Sequence, residues 1–320
     1  MMSVEHAEPT DPPEAALEHR VNPLHLRQRL GIEREREAWV FGQGIKFFHL
    51  ENWYLAHSLI RATLRLCLLH GRGRRNALDI RVRHNHARIR NLPRSFEGFT
   101  LLHLSDLHLD MTPRTPGALI EKISGLDYDM AVLTGDFRAR TVGPWEPTVA
   151  ALREVRAHLE EPVFAVLGNH DSIRMVPPME AAGIRVLLNE SVPLERGGEH
   201  IHLAGIDDPH YFQADNLEKA CEGIPLDDVS VLLAHSPEIY RHAAHAGFDL
   251  MLCGHTHGGQ ICLPGGAALT YNARCPRRLC AGAWTYHHMA GYTSVGSGVC
   301  IVDVRINCPP EITLHHLHAA

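Results

Sequence analysis

The segment Leu250-Met251-Leu252-Cys253-Gly254-His255-Thr256-His257-Gly258-Gly259 joins a short apolar run to two histidines that are flanked by glycine. A short apolar run followed by glycine is typical of a buried strand that ends in a tight turn. A His-x-His pair at such a strand end sends two imidazoles into one cavity, and glycine leaves space beside them. The segment therefore predicts two metal-binding side chains, His255 and His257.

Four other apolar runs are followed by polar clusters in the same way. The predicted strands are Thr100–Leu104, Met130–Thr134, Val163–Leu167 and Val229–Ala234. The polar residues that follow them are Asp106 and His108, then Asp136, then Asn169, His170 and Asp171, and finally His235. Helical stretches such as Pro147–Leu159 and Pro237–Ala246 alternate with the strands. This alternation predicts an α/β fold whose strand carboxyl ends carry the ligand site, so we expect the five clusters to meet.

The side chains of these clusters suit divalent cations. The candidate metal ligands are Asp106, His108, Asp136, Asn169, His235, His255 and His257. This set is large enough for two ions roughly 3.5–4 Å apart that share one carboxylate. Mixed nitrogen and oxygen ligands suit Mn, Fe, Zn or Co, and the sequence does not choose among them.

The ordered clusters resemble the calcineurin-like metallophosphoesterase superfamily over roughly residues 92–317. The motifs that carry the resemblance are Asp106-x-His108, Gly135-Asp136, Gly168-Asn169-His170-Asp171, His235 and Gly254-His255-Thr256-His257. The stretches that look like its bacterial membrane-associated branch are Asn91-Leu92-Pro93, His235-Ser236-Pro237-Glu238 and Pro309-Pro310-Glu311-Ile312-Thr313. The resemblance implies a four-layer α/β/β/α sandwich with two mixed β-sheets.

The resemblance also implies roles for the residues that match. One ion is assigned to Asp106, His108, Asp136 and His257, and the other to Asp136, Asn169, His235 and His255, with Asp136 as the bridge. A metal-activated water would attack a phosphoester or pyrophosphate. His170 is carried over as the catalytic residue beside the leaving-group oxygen.

The chain departs from the family pattern at one position. Many members have an acid three residues after the bridging aspartate, where it orients the catalytic histidine, and this chain has Ala139. We therefore expect Asp171 to take part in catalysis as the partner of His170. For Arg138 and Arg140 two interpretations stay open, which are contact with the substrate phosphate and exposure to solvent.

The chain before the first cluster divides into two parts. Residues 1–44 are polar, with an early group of prolines, and predict a flexible segment. Residues 45–77 predict an amphipathic helix with a basic flank, and the metallophosphoesterase domain is expected over 78–320, beginning with a hairpin over 78–92. Residues 61–94 hold ten Arg and one Asp, or +9, although the whole chain has a net charge of −6. Region 45–94 either contacts an anionic membrane or packs on the catalytic domain, and both interpretations remain.

The choice of substrate stays open at this point. A membrane-associated, lipid-linked phosphodiester or pyrophosphate such as UDP-diacylglucosamine is one hypothesis, and a soluble nucleotide or small phosphoester is the alternative. A non-catalytic metal-stabilised scaffold is a third. The arginines lack interleaved aromatic residues, so they give no strong nucleic-acid signal. The first twenty residues lack a signal-peptide pattern, which predicts a cytoplasmic location, with peripheral contact at the inner membrane face as an option. Specificity is expected in loops 207–216 and 264–285.

Overall fold

A computed structural model of the chain describes residue 17 and residues 20–41 and 54–320. The strands are β1 (Arg81–Ile89), β2 (Thr100–Leu104), β3 (Met130–Thr134), β4 (Val163–Val166), β5 (Arg185–Val186), β6 (Glu190–Arg196), β7 (Glu199–Gly205), β8 (Ser230–Leu233), β9 (Leu250–Cys253), β10 (Gly282–Tyr286), β11 (Met289–Thr293) and β12 (Glu311–Ala319). The helices are α1 (Pro23–Phe41), α2 (Tyr54–Leu66), α3 (His70–Asn76), α4 (Thr115–Ile123), α5 (Glu146–Arg156), α6 (Val176–Glu180), α7 (Leu217–Ala220) and α8 (Tyr240–Ala246).

The strands form two mixed sheets of six strands each. The first sheet has the order β1-β12-β2-β3-β4-β5, and the second has the order β10-β11-β9-β8-β7-β6. In the first sheet only the β12–β2 pair is antiparallel, whereas β10–β11 and β6–β7 are antiparallel in the second. The five strands predicted from the sequence are confirmed as β2, β3, β4, β8 and β9, with ends that differ by at most one residue.

The side chains of the central strands alternate between two apolar layers. Leu101 and Val132 of the first sheet pack between the sheets, against residues of the second sheet such as Leu203. Their neighbours, such as Leu102, face α4 to α6 on the outer side, and an equivalent outer layer covers the second sheet beneath α7 and α8. Both faces of each sheet are therefore covered, and the predicted α/β/β/α sandwich is confirmed.

The predicted hairpin over 78–92 is wrong. β1 is one continuous strand that pairs in parallel with β12, from Arg81 opposite Glu311 to Ile89 opposite Ala319. His84, near the middle of this range, stacks on His316 of the neighbouring strand, with His84 Nδ1 and His316 Nε2 3.0 Å apart. β1 therefore continues where the local sequence pattern indicated a turn, because its histidines pair with histidines of β12 that are distant in sequence.

Residues 23–41 of the segment that was predicted as flexible form helix α1. Arg29 of this helix is fully buried, and its guanidinium donates to the Asp207 carboxylate at 3.2 Å, to Glu33 Oε1 at 2.7 Å and to the Asp171 carbonyl at 2.9 Å. The polar sequence is ordered here because its charges are neutralised inside the fold. The rest of the 1–44 prediction lies outside the described residues, apart from residues 17 and 20–22.

Region 45–77 forms two helices in its described part, because Leu68 has a left-handed φ of 57° between α2 and α3. Leu64 of α2 is buried against Val302 and Val304, and Gly73 of α3 lies so close that an added Cβ would be 2.7 Å from Val304 Cβ. The helices therefore pack on the catalytic part of the chain. Residues 45–53 lie outside the described range, and the division of the chain at 44 and 77 stays a prediction.

The outward side of this region is apolar in places. Leu59, Leu66 and Leu68 are 69%, 86% and 88% exposed. Among the described helices, none combines the length and the apolar composition that crossing a membrane requires.

We expect Arg29→Met to lower the free energy of unfolding by about 3–5 kcal/mol, because the buried Asp207 and Glu33 carboxylates would lose their partner. Urea unfolding of the full chain measures this change. Arg27→Met on the exposed side of α1 is the matched control and should change stability by less than about 0.5 kcal/mol. Equal effects of the two substitutions would contradict the proposed anchoring of α1.

Candidate metal centre

The seven predicted ligands lie together where strands of both sheets end. Asp106 and His108 follow β2, Asp136 follows β3, Asn169 follows β4, His235 follows β8, and His255 and His257 follow β9. The seven side chains belong to residues that are at most 8% exposed. The first sheet thus contributes four of the side chains and the second sheet contributes three.

The donor atoms of these side chains form two groups that share Asp136. In the first group, the donor atoms of Asp106, His108, Asp136 and His257 all lie within 4.8 Å of one another. In the second, His235 Nε2 lies 3.3 Å from Asp136 Oδ2, 3.2 Å from His255 Nδ1 and 3.0 Å from Asn169 Oδ1. The two groups coincide with the ligand sets that the family resemblance implies for two ions.

Two of the histidines are held in the tautomer that metal binding needs. His108 Nδ1 donates to the Arg138 carbonyl at 2.7 Å, and His235 Nδ1 donates to the Thr134 carbonyl at 2.7 Å. In a neutral imidazole the other nitrogen, Nε2, then keeps its lone pair. Both Nε2 atoms face the cluster, as in metal-bound histidines whose second nitrogen donates to a carbonyl. The donor set therefore fits divalent cations.

The cluster needs positive charge. Burial raises the pKa of Asp106. Burial also opposes the Asp136 anion, but the neighbouring His235, His170 and His108 hold the pKa of Asp136 well below its usual range. Burial would lower the pKa of His235, but Asp136, Asp106 and Asp208 raise it to about 10. Either a proton on His235 or a bound cation can compensate these buried carboxylates.

The backbone at the centre is mostly left-handed. Five of the seven predicted ligands have a positive φ, namely Asp106 (52°), His108 (42°), Asp136 (56°), His255 (71°) and His257 (50°). This conformation costs roughly 1–2 kcal/mol per residue for an L-amino acid, and such strain often marks functional sites. The turns aim the side chains away from the strand direction and into the shared cavity.

Gly254 allows the two sheets to approach each other at the centre. An added Cβ there would lie 1.9 Å from Ser105 Oγ and 2.3 Å from Asp106 Oδ2. Just after this glycine, the backbone N–H of His255 donates to Asp106 Oδ2 at 3.0 Å. The sequence predicted that glycine clears space for metal and substrate, and the structure shows that Gly254 makes room for the Asp106 carboxylate itself.

His170 lies beside both groups of ligands. Its Nε2 is 3.8 Å from Asp136 Oδ2, and its ring meets the His108 ring edge-on at 5.0 Å between centroids. Burial lowers the pKa of His170 to about 3, so its imidazole is neutral and can donate one hydrogen bond. Its backbone N–H donates to Asp136 Oδ1 at 2.9 Å, and its carbonyl accepts from the Arg138 guanidinium. In a chain with Ala139, His170 is thus positioned through its backbone.

The Asp171 carboxylate is bonded to the backbone of two ligand loops. Its carboxylate accepts the backbone N–H groups of Asp136 at 2.7 Å, Phe137 at 2.9 Å and Gly168 at 2.9 Å. These three bonds join the loops after β3 and β4. This geometry makes Asp171 a positioning residue for the two loops, and its catalytic role as the partner of His170 stays a prediction.

Arg138 contacts neither substrate space nor solvent. The residue is 3% exposed, and its guanidinium also donates to the carbonyls of Gly143 and Thr141, each at 2.8 Å. Both interpretations from the sequence are therefore wrong for Arg138, because its guanidinium is buried and each of its three nitrogens donates to a backbone carbonyl. Arg140 is exposed, in agreement with the solvent interpretation.

A buried chain of hydrogen bonds that the sequence did not reveal ends at Asp106. Asn85 Nδ2 lies 2.9 Å from His315 Nδ1, and His315 Nε2 lies 3.1 Å from His103 Nδ1. His103 Nε2 lies 2.8 Å from Thr134 Oγ1. The Thr134 hydroxyl donates to Ser105 Oγ at 2.8 Å, and the Ser105 hydroxyl donates to Asp106 Oδ2 at 2.6 Å. The amide N–H at one end and the carboxylate at the other force every donor to point toward Asp106. Such a relay is cooperative and holds Asp106 Oδ2, which leaves Oδ1 facing His257.

Only a weak sequence signal could have pointed to this relay. His103 is a polar residue within the otherwise largely apolar strand β2, and His315 is a buried histidine in β12, where polar and apolar residues are mixed. A histidine in such a strand is usually a hydrogen-bonded core residue, which is what both are. Their partners lie in other strands, so the connection to Asp106 becomes visible only in three dimensions.

A cavity of about 380 Å³ opens beside the centre. It is lined by Asp136, His170 and His255 and also by the apolar residues Ile301, Val302 and Ile60 of α2. Tyr271 and Asn272 of the loop 264–285 also line it. In the loop 207–216, the His210 ring lies 4.2 Å from the His255 ring. Both predicted specificity loops thus border the site, and the contribution of α2 was not predicted.

Comparison with known proteins finds a family and relatives whose names refer to phosphoester or pyrophosphate hydrolysis. The family described as calcineurin-like phosphoesterase matches residues 99–259. The chain is 30% identical to the uncharacterised metallophosphoesterase YkoQ of Bacillus subtilis, over 68% of this chain and 83% of YkoQ. It is 29% identical to phosphodiesterase YaeI of Escherichia coli, over 68% of this chain and 82% of YaeI. It is 26% identical to UDP-2,3-diacylglucosamine pyrophosphatase LpxG of Chlamydia trachomatis, over 54% of this chain and 69% of LpxG.

We expect Thr134→Val to weaken divalent-metal binding by at least about tenfold, because the change interrupts the relay that holds Asp106. Calorimetric titration of the metal-stripped protein with Mn²⁺ measures the affinity for the metal. Thr148→Val is the matched control, since Thr148 Oγ1 is buried without a hydrogen-bond partner among the described residues. Equal affinities of the two variants would show that the relay does not orient Asp106.

Proposed function

Because the chain belongs to the calcineurin-like phosphoesterase family and is therefore a hydrolase of phosphoester bonds, we propose that its reaction uses two divalent cations and a water nucleophile. The observation that carries this proposal is the position of Asp136 between the two donor groups. Its Oδ2 lies 3.3 Å from His235 Nε2 and 3.9 Å from His108 Nε2. A carboxylate shared in this way is what a two-metal site requires.

The residues of the centre fit each part of such a reaction. When bound, the two cations would neutralise phosphate oxygens and supply a water of lowered pKa. The ligand set contains only two carboxylates, Asp106 and Asp136, so a charge of +4 on two cations would be reduced to +2, which attracts a phosphate. His170 lies at the rim of both groups, where its imidazole donates a hydrogen bond to the leaving-group oxygen.

The cavity favours a substrate that joins a phosphate to an apolar group. Its lining includes metal-centre residues such as Asp136 together with the apolar Ile60, Ile301 and Val302. A small hydrophilic phosphoester would leave these apolar walls without contact. We therefore extend the proposal to a lipid-linked phosphodiester or pyrophosphate.

The surface around α2 supports a membrane source for this substrate. Leu59 and Leu66 of α2, and Leu68 just after it, are exposed. Arg61 and Arg65 lie in the same helix, and region 61–94 carries ten Arg against one acid. Exposed leucines among arginines suit the interface of an anionic membrane. In this proposal the chain is a peripheral protein on the cytoplasmic face of the membrane.

Two relatives support two different substrates. LpxG, with 26% identity, is named for the hydrolysis of UDP-2,3-diacylglucosamine, which contains both a pyrophosphate and acyl groups. A UDP-diacylglucosamine-type pyrophosphate is therefore our first specific candidate. YaeI, with 29% identity, is named a phosphodiesterase, and a soluble phosphodiester is the second candidate.

Metal-stripped protein should hydrolyse bis-p-nitrophenyl phosphate only after a divalent cation is added, and Mn²⁺, Fe²⁺, Zn²⁺ and Co²⁺ should be compared. Asp136→Asn should lower the rate by at least about 10³-fold, because the carboxylate shared by both groups is lost. His255→Ala should remove one of two bound ions, as counted by metal analysis. Thr148→Val serves as the folded control. Full turnover by Asp136→Asn would refute the two-metal mechanism.

The protein should float with vesicles that contain phosphatidylglycerol and should float less with phosphatidylcholine alone, because arginines near α2 meet anionic headgroups. Leu59→Ser, Leu66→Ser and Leu68→Ser combined should reduce flotation. The matched control combines Leu24→Ser and Leu226→Ser, which change leucines that are 62% and 100% exposed elsewhere. If the wild-type protein hydrolyses the soluble diester but floats with neither vesicle, the soluble candidate replaces the lipid-linked one.

A further inference from the structure

A second cluster of possible metal ligands lies away from the centre described above. His200 and His202 are two residues apart on β7, and Asp228 lies two residues before β8. His200 Nε2 is 2.8 Å from Asp228 Oδ2, and His202 Nε2 is 3.0 Å from the same oxygen. Donor atoms of all three residues lie within 4.8 Å of one another.

The strand register explains why the three side chains meet. His202 pairs with Ser230 of the neighbouring parallel strand, and its backbone N–H donates to the Val229 carbonyl at 2.9 Å. Counting back two residues on both strands brings Asp228 level with His200. Ile201 packs between the sheets, so the histidines on either side of it point to the outer face of the second sheet.

We propose that His200, His202 and Asp228 form a peripheral site for a divalent transition metal such as Zn²⁺. Two imidazoles and one carboxylate are a common set of protein ligands for Zn²⁺. Ligands about 2.0 Å from a tetrahedral ion are about 3.3 Å apart. The observed separations of 2.8 and 3.0 Å therefore need to open by only a few tenths of an ångström.

The environment leaves room for the remaining coordination. The His200 side chain is 50% exposed and the Asp228 side chain is 26% exposed, so solvent reaches the point on which the donors converge. Water would complete the coordination of an ion held by three protein ligands. Two imidazoles favour Zn²⁺ over Mg²⁺ or Ca²⁺, which prefer oxygen ligands.

The peripheral site is separate from the candidate metal centre. Asp228 precedes β8, whereas the metal-centre residue His235 follows the other end of the same strand. Seven residue steps at about 3.3 Å each place the two roughly 20 Å apart. A peripheral ion would fasten the segment before β8 to β7 and would not share a ligand with the centre.

Two exposed histidines on β1 provide a built-in comparison. His84 and His86 have the same spacing on β1, but their rings stack on His316 and His318 of β12 and hydrogen-bond to them. Their nitrogens meet other imidazoles and do not converge on one carboxylate oxygen. A pair substitution on β1 therefore removes two exposed histidines without touching the proposed site.

Zinc binding by the full chain tests the proposal. Metal-stripped protein is dialysed against Zn²⁺ that is buffered with a chromophoric chelator, and bound zinc is counted by atomic emission. We expect His200→Ala with His202→Ala to bind one Zn²⁺ fewer than the wild-type protein. Asp228→Asn should weaken that ion by at least about tenfold. His84→Ala with His86→Ala should bind as much zinc as the wild-type protein.

The hydrolysis of bis-p-nitrophenyl phosphate with Mn²⁺ serves only as a check of folding, and the His200/His202 variant should match the wild-type protein in it. Unchanged zinc content in that variant would overturn the proposal. Loss of the ion in the His84/His86 variant instead would also overturn it, because the histidines of β1 would then be the site. The zinc count is informative whether or not the two-metal mechanism is correct.

Discussion

The Asp171 carboxylate holds together the two loops on which the metal centre depends. It accepts the backbone N–H groups of Asp136, Phe137 and Gly168, at the ends of β3 and β4. A buried backbone donor that lost its acceptor would be costly, so these three bonds stabilise the two loops. Asp136 has a left-handed φ of 56°, and these bonds hold its backbone in that conformation. The position of the shared carboxylate thus follows from a residue that does not face the ions.

The other ligand loops are held by each other in the same way. The backbone N–H of Asp106 donates to the Gly135 carbonyl at 3.0 Å, and the N–H of His108 donates to the Asp136 carbonyl at 3.1 Å. Across the sheets, the N–H of Gly254 donates to the His235 carbonyl at 2.8 Å. Because each loop provides the hydrogen-bond partners of the next, these bonds support the left-handed backbone of the ligand residues.

The sequence predicted the parts of the fold that are encoded locally. An apolar run with a polar residue at its end is a local pattern, and it located β2, β3, β4, β8 and β9 as well as all seven side chains of the centre. The sequence could not show that β1 pairs with β12, because residues about 230 positions apart form that pair. The sequence also predicted that residues 23–41 are flexible. This prediction missed α1 because the buried partner of Arg29, Asp207, lies 178 positions away in the sequence. The sequence also did not show that the Asp171 carboxylate accepts from the backbone of Asp136 and Phe137, because those residues lie on a different strand end.

The centre is completed by parts of the chain outside the family match at residues 99–259. Glu33 of α1 accepts the backbone N–H of Ile173 at 2.7 Å, just after the Asn169 loop. Near the other end of the chain, the N–H of Gly298 donates to the Asp106 carbonyl at 2.9 Å, and the relay reaches Asp106 from His315. The matched segment therefore carries the ligands, while the flanking segments fix their backbone. The apolar walls of the cavity also come from the flanks, through Ile60 and Val302. Substitutions in these flanking segments can consequently alter the cavity walls without altering any of the candidate metal-binding residues.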